Sequence, residues 1–430
     1  MNQAQATKNT QVQHMNPIQT NIVEPQGTVH HAPHDAALAA RALTALRGLY
    51  EQPLALFSIV DSEEDLAEIE TLAQRITAQS DVLVLVGIGG SSLGAEALVA
   101  LRSANHSVRL MVMDNPDPES FAQMQQTVHP DRTSWLFISK SGGTLETVTQ
   151  VMLVLDWLEH EIGAEGIRAR CYACTEPTSS SLAKLADHYG MMRITHDPLL
   201  GGRWSCAANI GLVPAAVCGV DVRAVRRGMR DVLHHALHTE AEHNLAIQGA
   251  LYAMRHAALG RTIHTIMPYV DRLEFLSAWC RQLISESLGK DGKGITPLAA
   301  LGTVDQHSML QLMLDGMDQQ FFTVITTHQH GVGTKISKKL ADVAGLSYLA
   351  DKPLGDVMDA FQQGTIASLQ AAGRPVRTLH VPVVDAYHLG ALLMHIMIET
   401  ILIADMMEVN AFDQPAVEDS KIRAKKVLGA

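Results

Sequence analysis

Cysteine is scarce in this chain: Cys171, Cys174, Cys206, Cys218 and Cys280 are the only five in 430 residues. So odd and scattered a set in a long chain does not make a disulfide framework. Aromatic residues are 4% of the sequence, which leaves the core to aliphatic side chains and the 19 Met. Positive charge falls short of negative, with 33 Lys and Arg against 45 Asp and Glu, a formal net charge of −12. A surface that offsets phosphates would run the other way, so composition opposes a nucleic-acid partner. A lipid-compatible run is missing too. The most apolar stretch, Leu389–Met407, carries His395, Glu399 and Asp405, which are costly in hydrocarbon, and reads as a buried helix with no membrane partner. Met1–Gln13 is polar and lacks the apolar centre of a signal peptide. The expectation is a soluble, cytoplasmic protein.

What is present is a globular composition, 47% hydrophobic and 18% charged, which excludes wholesale disorder. Single cores stop growing at about 250–300 residues, so a chain of this length is expected to divide. Short apolar runs alternate with stretches of helical periodicity. Strands are expected at Asp81–Gly87, Val108–Met113, Thr133–Ile138 and Arg168–Cys174, then at Thr262–Tyr269, Phe321–Thr327 and Arg377–Val383. Helices are expected at Ala95–Arg102, Glu119–Gln126, Thr144–Leu158, Ser181–His188, Val222–His238, Arg272–Leu288, Thr334–Val343 and Leu389–Met407. Such alternation predicts an α/β fold with mostly parallel sheets covered by helices on both faces. The organisation expected is a loosely ordered polar tail (1–34), a helical segment (35–77), two αβα units (78–205 and 206–408) and a C-terminal helical segment (409–430) opened by Pro415.

Three small-residue loops follow strands. The first is Val86-Gly87-Ile88-Gly89-Gly90-Ser91-Ser92-Leu93-Gly94. Its glycines let backbone N–H groups approach an anion at a helix N-terminus. A dinucleotide fingerprint would need Gly where Ser92 stands, although Asp114 lies where a ribose-binding acid would fall. A plain tight turn is the alternative. The second loop, Ser139-Lys140-Ser141-Gly142-Gly143-Thr144, offers hydroxyls and N–H groups suited to a phosphate monoester, or simply a cluster of N-caps. Two such loops on one sheet are the more telling, because ligands sit at the carboxyl ends of strands in open α/β sheets. The third, Leu200-Gly201-Gly202-Arg203-Trp204-Ser205, bends sharply enough to turn Arg203 inward.

These loops, in this order, resemble the glucose-6-phosphate isomerase family. The resemblance continues through Arg281–Lys290 (RQLISESLGK), Gly302–Ser308 (GTVDQHS) and Phe412–Lys421 (FDQPAVEDSK), six ordered motifs over roughly residues 80–425. It implies two sugar-isomerase (SIS) αβα domains of the shorter bacterial form. It also implies a homodimer with the active site at the domain and subunit interface, no metal and no organic cofactor. The implied reaction interconverts glucose 6-phosphate and fructose 6-phosphate through a cis-enediol(ate), in glycolysis and gluconeogenesis.

That reaction moves one proton between neighbouring carbons. Glu286 matches the family's base, and Gln282, four residues earlier, shares its helix face. Arg203, always charged and with a fixed donor fork, is the candidate to stabilise the anionic intermediate. His307 and Lys421 match the positions that move protons during ring opening, with His307 entering from the other subunit and Gln414 beside the sugar. Ser91, Ser139, Ser141 and Thr144, with the backbone of Gly90 and Lys140, are expected to hold the phosphate. The sequence departs from the family pattern at Ser141-Gly142-Gly143, Trp204 and Ala416, none of which removes a reacting group.

Two other readings stay open. A branch that also epimerises mannose 6-phosphate usually has Thr where Gln282 stands. A non-catalytic SIS-domain regulator would need the phosphate loops but not Glu286, His307 and Lys421 together, and the net charge opposes its usual DNA-binding segment. Cys171-x-x-Cys174 falls on a strand with its thiols on opposite faces, and His234, His235, His238 and Glu242 read as a solvated helix face. His30-His31 lies in the tail.

Overall fold

The computed structural model describes residues 16–25, 32–52 and 54–429. Its strands are β1 (Gln19–Val23), β2 (Val82–Val86), β3 (Arg109–Met113), β4 (Thr133–Ile138), β5 (Cys171–Thr175), β6 (Met192–Thr195), β7 (Ile263–Pro268), β8 (Thr296–Ala299), β9 (Gln320–Thr327) and β10 (Val376–Val381). They form two five-stranded sheets, ordered β3-β2-β4-β5-β6 and β1-β10-β9-β7-β8. Every pairing is parallel except that of β1 with β10.

The expected alternation is borne out, and the differences have local causes. The stretch 1–34, expected to be a loose tail, holds β1, an edge strand running antiparallel to β10 from Gln19 opposite His380 to Val23 opposite Val376. Its sequence, QTNIV, is too polar to announce a strand; main-chain bonding and the burial of Ile18 place it. His30 and His31 lie outside the described residues. β6 and β8 carry no apolar run either, because both are short edge strands, and β8 tolerates Pro297 for that reason. The helix begun at Leu145 continues to Arg170 across a kink at Gly163 (φ 67°, ψ 175°), so Arg168–Arg170 is helical and the strand starts at Cys171. Helices Asn209–Val217, Leu245–Ala258 and Leu354–Ala371 were not among those expected.

Period-two alternation sorts each strand between two faces. In β2, Val82, Val84 and Val86 meet the outer helices, including Pro118–Thr127 and Leu145–Arg170. Leu83 and Leu85 face inward, into a core that runs without a break to Phe321 and Ile325 of β9 and to Leu379 and Val381 of β10. Between the sheets lie helices Asn209–Val217, Val222–His238, Glu274–Leu288 and Ala386–Met407. A second outer layer covers Phe322, Val324 and Val376 with Met313 and Leu369. The layers therefore run helix, sheet, helix, sheet, helix, with the middle helices shared. Helix Ala386–Met407 is long and apolar enough to cross a membrane, yet 94% of its most apolar window is buried in protein, so it is the core helix the sequence suggests.

Within this core, Arg377 of β10 forms a bidentate pair with Glu399 of helix Ala386–Met407, at 2.7 and 3.0 Å. Burial alone would raise the Glu399 pKa, but the Arg377 charge and bonds from His395 and Arg377 outweigh it and bring it down to about 2. His264 of β7 bonds to Thr323 Oγ1 at 2.8 Å. Burial, reinforced by the Arg377 charge, lowers its pKa to about 3.

Candidate active site

In the first sheet the chain runs from β2 outward to β3 and then returns to β4 on the other side of β2. That reversal opens a crevice at the carboxyl ends of β2 and β4. The Gly87–Gly94 loop leaves β2 there, and the Ser139–Thr144 loop leaves β4 beside it. Their glycines are needed for close approach. A Cβ on Gly90 would lie 2.6 Å from Arg203 N and 2.7 Å from Gly202 O, so the first and third loops meet backbone to backbone. Gly89, at φ +61°, would place a Cβ 2.8 Å from Gln282 Nε2. In the second loop, Gly142 has φ +62°, and Ser139 Oγ donates to Thr144 Oγ1 at 3.0 Å. Ser141 Oγ accepts from Gly143 N at 3.3 Å on the exposed side of the turn. Lys140 turns toward Glu176, 3.8 Å away.

The centre is Arg203, 3% exposed, on a 3-10 turn at Gly202–Ala207. Nε donates to Ser287 Oγ at 2.9 Å. Nη1 donates to Glu286 Oε2 at 3.0 Å and to Gln414 Oε1 at 2.7 Å. Nη2 donates to the carbonyls of Ala411 and Asp413, at 2.6 and 3.1 Å. All five guanidinium N–H groups are thereby used. Burial pushes the Arg203 pKa down, while the Glu286 charge pushes it back. Gln282 Nε2 donates to Glu286 Oε1 at 2.8 Å, as expected for neighbours on one helix face. Gln282 Oε1 is buried without a partner.

The structure therefore brings Arg203, Glu286, Gln282 and Gln414 together against Gly89 and Gly90, with the second loop on the neighbouring strand. Ser91 sits partly buried in the turn after β2. His307 and Lys421 are not in this group. His307 is exposed on a short helix, Val304–Ser308, and Lys421 is exposed on helix Glu418–Val427, 2.6 Å from Glu418. Among the described residues, neither bonds to Arg203, Glu286 or Gln282.

Sequence reasoning missed Ser287, the carbonyls of Ala411 and Asp413, and Lys290. Lys290 is paired at 3.0 Å with Asp413 and lowers that carboxyl's pKa. Ser287 and Lys290 stood inside a quoted motif, but backbone carbonyls leave no trace in residue type. The other clusters stay apart from this site. Cys171 and Cys174 enter cores on opposite faces of the first sheet, and burial pushes the thiols of Cys174, Cys206 and Cys218 up to about 12. His234 is not merely solvated: it lies 2.7 Å from Asp61, and His238 Nδ1 lies 2.7 Å from His234 O.

Two mostly parallel-sheet αβα units of the SIS kind, with hydroxyl-rich loops at a crevice and a buried arginine paired with a partly exposed glutamate beside them, define a phosphosugar isomerase fold. More narrowly, the chain belongs to the phosphoglucose isomerase family, whose model matches residues 73–430. A glucose-6-phosphate isomerase of Rubrobacter xylanophilus is 32% identical over 395 residues, covering 89% of this chain and 91% of that protein. The crystal structure of a hypothetical protein from Thermus thermophilus superposes with a TM-score of 0.85 at 29% identity, covering 95% of this chain and all of that one. A glucose-6-phosphate isomerase structure from Chlamydia trachomatis shares the fold at 20% identity, with a TM-score of 0.74 over 96% of this chain and 89% of that one.

Proposed function

We propose that this protein interconverts glucose 6-phosphate and fructose 6-phosphate, as a glycolytic aldose–ketose isomerase. The observation that carries the reading is the Arg203–Glu286–Gln282 constellation, set against the Gly87–Gly94 loop in a chain of this family. Glu286 takes the C2 proton of the open-chain aldose, giving a cis-enediolate; a proton passes from the C2 hydroxyl to the C1 oxygen, and Glu286 returns its proton to C1 to give the ketose. Its carboxylate is held at both oxygens, by Arg203 and Gln282, which fixes the direction of its free lone pairs. Arg203, with every N–H used, acts on the developing anion through its charge and by holding Glu286 and Gln414. Gln282 Oε1, buried and unpartnered, is ready to accept from a sugar hydroxyl.

Ser91, Ser139, Ser141 and Thr144, with the main chain at Gly90 and Lys140, hold the phosphate. With −12 overall, that attraction is local, made by N–H groups and hydroxyls in the crevice. His307 and Lys421 serve ring opening. Their exposure supports a homodimer in which the partner subunit's His307 completes each site. The free, buried thiols support a reducing, cytoplasmic compartment. Gln282, bonded to Glu286, speaks against a mannose 6-phosphate epimerase, and a regulator would not require the base and its clamp.

The test is a coupled assay that starts from fructose 6-phosphate and reads glucose 6-phosphate through its dehydrogenase. Turnover is expected; a folded protein that forms no glucose 6-phosphate sinks the reading.

A further inference from the structure

Residues 407–414 form the turn that leaves the core helix Ala386–Met407 and leads to Gln414 and helix Glu418–Val427. No regular secondary structure holds this turn. Glu408 takes a left-handed conformation (φ 57°) at its start, and Phe412 N donates to Asn410 Oδ1 at 2.9 Å within it. Main-chain bonds from Glu408 N to Asp405 O and from Val409 N to Ala404 O, both 3.0 Å, close its start, and cationic side chains hold carbonyls along it. Lys293 Nζ donates to Met407 O at 2.7 Å, Lys290 Nζ to Asn410 O, and Arg203 Nη2 to Ala411 O and Asp413 O. Lys290 Nζ also donates to Ser287 O at 3.2 Å and pairs with Asp413 Oδ1 at 3.0 Å, and its side chain is only 10% exposed. Asp413 Oδ2 in turn accepts from Asn410 Nδ2 at 3.0 Å.

Lys290 therefore joins two things the reaction needs in fixed relation. Behind it, four residues back, is Glu286 at the end of helix Glu274–Leu288. In front of it is the turn whose next residue, Gln414, bonds to Arg203. A surface lysine would spend its charge in water. This one is withdrawn from water to hold main-chain carbonyls and one carboxylate, a costly placement unless the geometry it fixes matters.

We propose that Lys290 is a positioning residue for the isomerisation: it locks the Asn410–Asp413 turn to the Glu286 helix, and so sets Gln414 and the Lys421 helix in register with the base. The inference rests on the functional reading above. Lys290 touches no reacting atom in this scheme; it acts through Gln414 and Lys421. Misplacement by about 1 Å can cost about 10²-fold in rate. Losing the lock therefore lowers kcat far more than it lowers stability.

The experiment uses the full chain and fructose 6-phosphate. Lys290→Met is expected to lower kcat by about tenfold to 10²-fold. Lys290→Arg, which can still donate to Asn410 O and pair with Asp413, restores most of the loss. Asp413→Asn, at an exposed position where folding is not at stake, removes the ion pair but keeps the carbonyl bond, and loses several-fold, by about half the logarithm of the Met effect. Combining Lys290→Met with Lys421→Ala gives a kcat little below that of the worse single variant, because one residue acts through the other. A purely structural lysine would leave kcat per folded molecule unchanged, or give losses that multiply with Lys421→Ala; either result overturns the proposal. If Lys290→Met does not fold, the Lys290→Arg and Asp413→Asn pair decides, and unchanged kcat in Asp413→Asn overturns it. The unaltered protein is the control for the reading beneath: no isomerase activity there rejects the function itself, whereas full activity there and in Lys290→Met rejects only the lock.

Discussion

Arg203 and Glu286 are 83 residues apart in sequence, yet Nη1 of one lies 3.0 Å from Oε2 of the other. The arginine is almost wholly buried, and the carboxylate is about a third exposed at 31%. The pair is thus asymmetric: a fixed cation beneath a carboxylate that still reaches the crevice. Breaking a buried charge pair by removing one partner typically costs about 3–5 kcal/mol, so neither member can be read by simple deletion. Substitutions that keep shape are the informative ones.

Glu286→Gln keeps shape but removes the proton acceptor, and its single amide oxygen can accept from Arg203 Nη1 or from Gln282 Nε2, not from both. General-base catalysis contributes about 10²–10⁴-fold, so isomerisation should fall by at least about 10²-fold. Exchange of the C2 proton with solvent should stop, while sugar-phosphate binding, followed by calorimetry, survives. Near-normal exchange would mean another carboxylate is the base, with Glu146, in the first turn of the helix that follows the Ser139–Thr144 loop, the first to test. Loss of both exchange and binding would confine Glu286 to a structural or positioning part.

The close approach of the first and third loops gives a second test. Gly90→Ala places a methyl within 2.6–2.7 Å of Arg203 N and Gly202 O, backbone atoms that cannot swing aside. The loop must then move, and Arg203 with it. Activity should fall at least about tenfold with a loss of roughly 1–3 kcal/mol in denaturant unfolding. Gly48→Ala, which meets nothing within 4 Å, is the control. Equal behaviour of the two variants refutes the contact.

These tests mark what was and was not legible in the sequence. β2, β4 and β9 could be read because buried parallel strands are near-continuous apolar runs. β1 could not, because what holds QTNIV is the main chain of β10 and the burial of one preceding isoleucine. The third loop pointed to Arg203, and the resemblance carried by Arg281–Lys290 pointed to Glu286 and Gln282. They could not reveal that every donor of Arg203 is occupied, since two of its acceptors are carbonyls of a turn more than 200 residues away. Residue types register side-chain chemistry; the carbonyl geometry of an irregular turn is set by the fold.

The buried cluster between the second sheet and the core helix makes a prediction about pH. The His264 pKa is about 3 when folded, against about 6.5 unfolded, because burial and then Arg377 oppose its charge. Below about pH 6.5 the unfolded chain takes up a proton that the folded chain refuses. Stability is therefore full above that pH and falls toward pH 3, by up to about 1.4 kcal/mol per unit from this group. Glu399, depressed to about 2, adds a similar slope only below about 4.3. Urea unfolding at pH 7, 6 and 5 should show the first slope, and His264→Gln should flatten it. Separately, Glu399→Gln strands Arg377 and should cost about 3–5 kcal/mol, whereas replacing Arg377 by Met and Glu399 by Leu together should cost much less. A His264→Gln protein with an unchanged pH slope, or a double substitution as damaging as the single one, would reject this account.

The remaining prediction concerns the residues that the chain leaves outside the Arg203 group. His307 is exposed and unbonded to it, as a residue destined for another subunit's crevice would be. If each site takes Glu286 from one subunit and His307 from the other, a Glu286→Gln homodimer has two sites lacking the base, and a His307→Ala homodimer has two lacking the ring opener. A mixed dimer has one site lacking both and one lacking neither. Under conditions of subunit exchange, random pairing makes half the dimers mixed, each with one intact site. Activity should then recover to about a quarter of that of the unaltered protein, far above either parent. The substrate form sharpens the test. Before mixing, His307→Ala should slow turnover of the cyclic sugar more than that of an open-chain analogue, because its task precedes enolisation, whereas Glu286→Gln should slow both alike. Exchange itself is followed by mass-tagged subunits. Full exchange with no recovered activity would put His307 in its own subunit's site or out of the reaction, and the form-dependence of His307→Ala would then say which.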